Sequence, residues 1–192
     1  MIELSPSPDW DRLYAIAAAQ EGLFTTRQAA EAGYSSQLLA HHLAARRMLR
    51  VRRGVYRLVH FPAGEHEELT ALWLWSDQHG VFSHQTALAL HDLSDAMTSR
   101  LHLTLPTAWR SRRLRVPEDV ELHYGEVAEA ERSWFGPVPV TAPLRTLDDC
   151  ADAHLPPDQL RQAARDALRC GLVTRAELAR VEAALGPFGG LA

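Results

Sequence analysis

Residues 22–58 read GLFTTRQAAEAGYSSQLLAHHLAARRMLRVRRGVYRL. The RQAAEA segment follows Thr25 and Thr26, either of which offers a hydroxyl cap, and it makes about two helical turns. Gly33 then ends it, because glycine readily takes the left-handed backbone of a tight turn. We therefore expect a very short helix followed by a turn.

The segment after this turn predicts a second, longer helix. Ser35 or Ser36 caps it, it runs to about Arg47, and Leu39 and Leu43 lie four residues apart on its inward face. Upstream, Asp9 or Ser7 caps a helix over about 9–20 in which Leu13, Ile16 and Ala17 recur at helical spacing. Three helices with a glycine turn before the last are the helix-turn-helix arrangement.

Residues 49–58, LRVRRGVYRL, predict a two-stranded β wing with a turn at Gly54. The expected alternation turns Val51, Val55 and Leu58 inward, and turns arginines 50, 52 and 57 outward. Residues 27–57 hold seven arginines and one acidic residue, Glu31, a local charge of +6 within a chain whose net charge is −4. Such an excess suits a polyanion, although a charged run is often just a solvated face.

The exposed face of the third helix carries small and polar side chains suited to the major groove. Gln37 can make a bidentate contact with adenine, and Ala40 can present its methyl group to thymine. The wing arginines would contact phosphates or a minor groove. His41 and His42 lack a matching ligand pair nearby in sequence, so we expect a solvent or DNA contact for His41 and a half-buried position for His42. The predicted DNA-binding residues are Arg27, Ser35, Ser36, Gln37, Ala40, His41, Arg46, Arg47, Arg50, Arg52, Arg53 and Arg57.

The same stretch resembles the N-terminal domain of the AbiEi family of bacterial antitoxin-like regulators from type IV toxin–antitoxin systems. The resemblance extends to SHQTALALHDLSD at 83–95, LHLTLP at 101–106 and PVPVTAPLRTLDDCA at 137–151. It implies a protein that represses its own operon by binding promoter repeats in double-stranded DNA. It also implies a nucleotidyltransferase-like toxin as partner. In many systems, the resemblance implies, the antitoxin neutralises the toxin without forming a stable complex with it.

The rest of the chain predicts a second, mixed domain. A linker is expected at 60–64, after which HEELTALWLWSDQ begins a new core as a buried helix. Strands are expected at 101–106, 120–124 and 137–141, and helices at 84–90, 143–153, 157–168 and 174–185. The fold class is therefore α+β: a winged helix-turn-helix at 1–60, an α+β domain at 65–186 and a flexible tail at 187–192.

Composition narrows the functional classes. The chain has 192 residues, is 46% hydrophobic, and contains no apolar run long enough for a membrane span and no signal sequence, so we expect a cytoplasmic protein. Cys150 and Cys170 are too few for a disulfide framework or a zinc site, and both are expected to be buried.

The sequence lacks the common motifs of nucleotide and hydrolytic chemistry. The sequence has no Gly-rich phosphate loop, no HExxH and no GxSxG, so we expect neither an enzyme nor a cofactor. Scattered histidines are usually core or surface residues, although His84, His91, His102 and His123 would form a metal site if the fold brought them together with Asp92, Asp95 or Asp149. Arg145 and the pair Asp148-Asp149 predict a salt bridge or a helix charge arrangement.

The second arginine cluster and the tryptophan beside it each have more than one predicted role. Arginines 110, 112, 113 and 115 form a second basic cluster that would extend a DNA footprint, meet an acidic partner or simply be solvated. Trp109 beside them would stack on a base or anchor the loop.

The leading hypothesis is a DNA-binding regulator; the alternatives are an antitoxin that acts by direct contact with a toxin, and a nucleic-acid-processing enzyme.

Overall fold

The computed structural model describes residues 7–94 and 99–191. The chain forms two compact units: one ends at His79 and also takes the segment Gly136–Val138, and the other holds the remaining residues. Helices and strands are both abundant, which confirms the α+β class. No helix in the described ranges is long and apolar enough to cross a membrane.

The first unit consists of four helices and a small sheet. The elements are α1 Trp10–Ala18, β1 Leu23–Thr25, α2 Thr26–Glu31, α3 Ser36–Ala44, β2 Met48–Arg52, β3 Val55–Leu58 and α4 Glu67–Trp75. The sheet order is β1-β3-β2, with both pairings antiparallel. The predicted two-stranded wing therefore gains β1 as a third strand, and the order of elements is that of a winged helix-turn-helix.

Local capping explains where α1 and α2 begin. The Asp9 carboxylate accepts a hydrogen bond from the backbone N–H of Arg12 at 2.9 Å, as predicted for α1. Thr25 and Gln28 form a reciprocal capping box at α2: the Thr25 hydroxyl accepts from the Gln28 N–H, and the Gln28 side chain accepts from the Thr25 N–H. These contacts satisfy N–H groups that a helix leaves without partners.

The helix at 67–75 belongs to the first unit. Its Ala71 and Leu74 pack with Leu23 of β1 and Val55 of β3 in one buried cluster. The expectation that this helix starts a new core after a linker at 60–64 was therefore wrong, and the first unit ends about twenty residues later than the predicted boundary. Apolar spacing identified the helix but carried no information about which core covers it.

The second unit contains a five-stranded mixed sheet with helices. Its elements are β4 Val81–Phe82, α5 His84–Leu90, β5 Leu101–Leu105, β6 Val120–Tyr124, β7 Arg132–Phe135, β8 Val138–Thr141, α6 Pro143–Asp152, α7 Pro157–Arg169 and α8 Ala179–Leu185. The strand order is β6-β5-β4-β8-β7. The pairs β5–β6 and β4–β8 are parallel, whereas β4–β5 is antiparallel. The short strands β4 and β7 were missed from the sequence.

Buried residues of α5, α6, α7 and α8 form the helical core of the second unit. Leu191 joins this core and is 3% exposed, and Arg161 donates hydrogen bonds to the carbonyls of Phe188 and Gly190. The prediction of a flexible tail is thus wrong for residues 187–191. Cys150 is buried as expected, whereas Cys170 is exposed because it follows the last turn of α7.

Two polar predictions for this unit are settled by contacts. Arg145 Nε donates to the Asp149 carboxylate at 2.8 Å, which confirms the predicted salt bridge, and Arg145 also pairs with Glu131 at 2.9 Å. Trp109 is 7% exposed, and the guanidinium carbon of Arg112 lies 3.9 Å from its ring centroid. Trp109 therefore anchors the basic loop to the unit, which is one of the two roles that the sequence predicted for it.

Candidate nucleic-acid interface

The third helix of the first unit is held by one face and presents the other to solvent. Leu39 is 3% exposed and packs with Leu13, Phe24 and Met48 in the core of this unit. On the opposite face Ser36, Gln37, Ala40 and His41 are all exposed, which confirms the predicted orientation of α3. The helix therefore offers a row of small and polar side chains with no bulky apolar residue among them.

Both ends of α3 have defined backbone geometry. At its start, the Ser35 hydroxyl oxygen accepts from the Leu38 N–H at 3.2 Å, so Ser35 is the cap residue. At its end, the helix stops at Ala44 and not at Arg47, because Arg46 takes the left-handed conformation with φ 53°. Arg46 and Arg47 therefore lie in the turn between α3 and the wing, and both are exposed.

The wing carries a β-bulge that the sequence pattern did not reveal. Arg50 pairs with Tyr56 and Arg52 pairs with Val55, so Val51 is an extra residue with no partner on β3. The bulge breaks the expected alternation, and Val51 is 39% exposed, contrary to its predicted inward position. Val55 and Leu58 are buried as predicted.

The Arg52 side chain, which follows the bulge, is half-buried. It is 17% exposed and lies 3.9 Å from the Glu68 carboxylate. Arg57 is 19% exposed, pairs with Glu67 at 3.3 Å and donates to the Phe61 carbonyl. The prediction that both point outward into solvent was therefore wrong, since each is used against α4 or the segment before it.

The remaining predicted basic residues fall into two groups. Arg27 stays exposed but pairs with Asp77 at 2.8 Å. The other four form no ion pair with an acidic side chain in the described part of the chain, and we call them the exposed arginines: Arg46, Arg47, Arg50 and Arg53. They lie on the turn after α3 and on the wing, so positive charge borders the polar face of α3 on its C-terminal side.

His42 lies next to the polar face of α3 and is partly buried. Burial lowers the pKa of His42, and the nearby Arg47 guanidinium lowers it further. Its ring lies 5.7 Å from that of Tyr34 and 5.8 Å from that of His41. His42 is half-buried, as predicted, while His41 is exposed on the polar face of α3.

The turn of the wing is tied to the helix-turn-helix. The Thr26 N–H donates to the Gly54 carbonyl at 2.9 Å, and the Thr26 hydroxyl lies 3.4 Å from the same oxygen. Gly54 has φ +78°, a conformation that favours glycine. The contact joins the start of α2 to the turn that carries Arg53.

We expect Gly54→Ala to destabilise the first unit by about 1–2 kcal/mol, because an L-residue at this φ is strained. A Cβ at this position would lie 3.7 Å from the Thr26 hydroxyl, so steric overlap adds little. Urea unfolding measures the change. Gly186→Ala is the control: Gly186 has helical φ and open space around it, so that variant should be neutral or slightly more stable. Equal effects of the two substitutions would contradict the strain at Gly54.

The second unit brings together three of the four histidines named from the sequence. His84 begins α5, His102 lies on β5 and His123 lies on the neighbouring β6. The Nδ1 atom of His102 is 3.0 Å from Nε2 of His123, and the rings of His84 and His123 stack with centroids 3.6 Å apart. We call these three residues the histidine cluster.

The other residues named for a metal site are not part of this group, although Asp149 lines a cleft that reaches it. His91 contacts the Thr141 carbonyl at 2.8 Å, and Asp149 is held by Arg145. Asp92 does not belong to the group of ligand atoms that the three histidines form. Asp95 lies outside the described residues. Strand pairing over about twenty residues forms the cluster, and no local motif signals such a pairing.

Burial controls the protonation of the histidine cluster. It lowers the pKa of His84 to about 3, with further lowering from His123, His102 and Arg145. Burial also lowers the pKa of His102 and of His123. Two clefts reach the cluster, one of about 390 Å³ that Arg110 and Arg145 also line and one of about 220 Å³ that Glu121 and Cys150 also line.

Three helices closed by a β wing, with a polar third helix and exposed arginines, define the first unit as a winged helix-turn-helix. Residues 11–59 match the family model described as "Transcriptional regulator, AbiEi antitoxin", and the matched segment runs from α1 to the end of the wing. The resemblance stated from the sequence is thereby confirmed over this segment. The family is one of transcriptional regulators and not of enzymes.

No curated protein has significant sequence similarity to the chain. Among solved structures, the chain is similar to the RV2827C protein from Mycobacterium tuberculosis, with a TM-score of 0.43 and 14% sequence identity. That similarity covers 94% of this chain and 77% of the other.

Proposed function

We propose that the chain is a sequence-specific DNA-binding transcriptional repressor. In this proposal α3 lies in the major groove and reads bases through Ser36, Gln37 and Ala40, while the exposed arginines contact phosphates. The observation that carries it is the polar face of α3 bordered by arginines that have no acidic partner in the described residues. The match of this segment to a family of transcriptional regulators supports it.

The roles of the half-buried arginines differ in this proposal from those of the exposed ones. Arg52 and Arg57 are engaged with Glu68 and Glu67, so they stabilise the wing and contribute little to phosphate contact. Arg27 would contact DNA only by leaving Asp77, although exposed ion pairs of this kind are worth about 1 kcal/mol or less. Ser35 keeps its cap contact and can still donate its hydroxyl proton to a phosphate.

The first test is a fluorescence-anisotropy titration of the full chain against its own upstream promoter and a scrambled duplex, at two salt concentrations. We expect tighter binding to the promoter, and affinity that falls steeply with salt, because phosphate contacts release counterions. Absence of binding to either duplex at low salt would contradict the proposal. Equal binding to both would leave an unspecific DNA-binding protein in its place.

Gln37→Ala tests base readout. We expect it to reduce the preference for the promoter by about 1–3 kcal/mol while leaving binding to the scrambled duplex unchanged, because alanine cannot make the bidentate hydrogen bonds to a base. Competition titrations with the two duplexes measure the difference. Ala44→Ser, also on the exposed face but about two turns nearer the C-terminal end of α3, is the control and should keep the preference. Unchanged preference in Gln37→Ala would remove this residue from the readout.

We further propose that the chain is the antitoxin of a type IV toxin–antitoxin operon, which it represses through promoter repeats, with a nucleotidyltransferase-like toxin as partner. The description of the family that matches residues 11–59 supports this role. Expression of the neighbouring gene with and without this chain tests it, and we expect growth arrest only without it. Continued arrest in its presence would contradict the antitoxin role and leave DNA binding unaffected.

A further inference from the structure

We propose that His84, His102 and His123 bind a divalent transition-metal ion of the Zn²⁺ type in the second unit, a role independent of DNA binding. The sequence predicted neither metal nor cofactor, since the three residues belong to no ligand motif. The structure places one ring nitrogen from each within 4.8 Å of one ring nitrogen from each of the others. Three imidazoles meet in this way on two adjacent strands and the start of a helix.

The spacing is close to what an ion requires. Zn²⁺ lies about 2.0–2.1 Å from a histidine nitrogen in a tetrahedral site, so two ligand nitrogens are about 3.3 Å apart. Nδ1 of His102 and Nε2 of His123 are already 3.0 Å apart. Binding therefore requires the His84 nitrogen to approach the other two by about 1.5 Å at most, together with a reorientation of the rings.

The stacked arrangement defines the movement that binding requires. The rings of His84 and His123 are inclined by only 16°, and lone pairs of imidazole lie in the ring plane, so two parallel rings cannot both point at one ion. A turn of His123 about its Cβ–Cγ bond removes this conflict, and that torsion has a broad energy profile. His123 is the half-buried member beside both clefts, so it has room for the turn.

His84 is held from behind as metal-ligating histidines are. Its Nδ1 contacts the Ser83 hydroxyl at 2.9 Å, and that hydroxyl is 2.7 Å from the hydroxyl of Thr104. These hydrogen bonds fix the ring through Nδ1 and leave Nε2 for the ion, as an outer hydrogen bond does in metal sites. His84 also has φ 51°, a strained conformation for a residue with a side chain, and such strain concentrates at functional sites.

The donor set selects the class of ion. Three neutral imidazoles suit Zn²⁺, Cu²⁺ or Ni²⁺ and not Mg²⁺ or Ca²⁺, which prefer oxygen ligands. Cys150 lines one cleft, but its Sγ is not among the ligand atoms that lie together in the described residues. Water from the clefts would complete four-fold coordination.

The test is calorimetric titration of the full, untagged and chelator-treated chain with Zn²⁺, followed by Co²⁺ absorption spectroscopy. We expect one ion per chain and the intense visible bands of four-coordinate Co²⁺. His102→Ala and His123→Gln should each weaken Zn²⁺ binding at least tenfold. His60→Ala, an exposed histidine of the first unit, should leave it unchanged.

Several results would overturn the proposal. These are no saturable Zn²⁺ binding by the wild-type chain, equal affinity in His123→Gln and wild type, and a weak six-coordinate Co²⁺ spectrum. His123→Gln replaces a half-buried side chain with one of similar length, so it should fold, and circular dichroism checks this. The titration contains no DNA, so its result is separate from that of the promoter experiment.

Discussion

The double variant Arg50→Ala/Arg53→Ala should bind promoter and scrambled duplex alike about a hundredfold more weakly than the wild type, because each charge-assisted phosphate contact contributes about 1.5 kcal/mol. Both side chains are exposed on the wing and have no acidic partner in the described residues. The slope of log affinity against log salt should flatten by about two, since two fewer phosphates are neutralised. Anisotropy titrations over a series of salt concentrations measure both quantities.

Arg27→Ala is the matched control for this variant. It removes the same charge from an exposed position of the same unit, but its guanidinium pairs with Asp77. We expect a loss of about threefold or less and little change of slope, since only the general field of the unit is reduced. If Arg27→Ala weakened binding as much as either wing substitution, the effect would be one of net charge and not of contact at the wing.

Leu39→Ala should destabilise the first unit by about 2–5 kcal/mol, because it leaves a cavity under α3 in the core that Leu39 shares with Leu13, Phe24 and Met48. Leu39 is the residue of α3 that is most deeply buried, so the helix loses its main attachment. Promoter binding should fall with the folded fraction. Urea unfolding followed by circular dichroism measures the loss of stability.

Leu49→Ala provides the comparison. Leu49 lies on β2 with 47% of its surface exposed, so the same truncation should change the free energy of unfolding by about 0.5 kcal/mol or less. A large effect of Leu49→Ala combined with a small effect of Leu39→Ala would mean that α3 is seated on a different face. The assignment of Gln37 and Ala40 to the exposed face would then fail as well.

Much of the first unit was predictable because its signals are local. The Asp9 cap, the hydroxyl before α2, Gly33 and the Leu39 spacing each act within four residues, and the structure contains the helices they indicate. Hydrophobic alternation likewise located β5, β6 and β8. Exposure of Gln37 on α3 follows from the same periodicity. Contact of these residues with DNA stays a prediction.

Features set by distant residues were not predictable in this way. The bulge at Val51 is a property of the pairing between two strands, and alternation along one strand cannot reveal it. The engagement of Arg57 depends on Glu67 of a helix that was assigned to the other domain. The histidine cluster depends on parallel pairing of β5 with β6, which places residues 21 positions apart in hydrogen-bond contact.

The backbone hydrogen bond from Thr26 to Gly54 has a consequence for how regulators of this kind diversify. It joins the start of α2 to the wing turn through main-chain atoms, so their distance does not depend on the side chains of α3. In the proposed function, exchanges at positions such as Ser36 and Gln37 would then change the target preference while the wing turn keeps its place relative to α2.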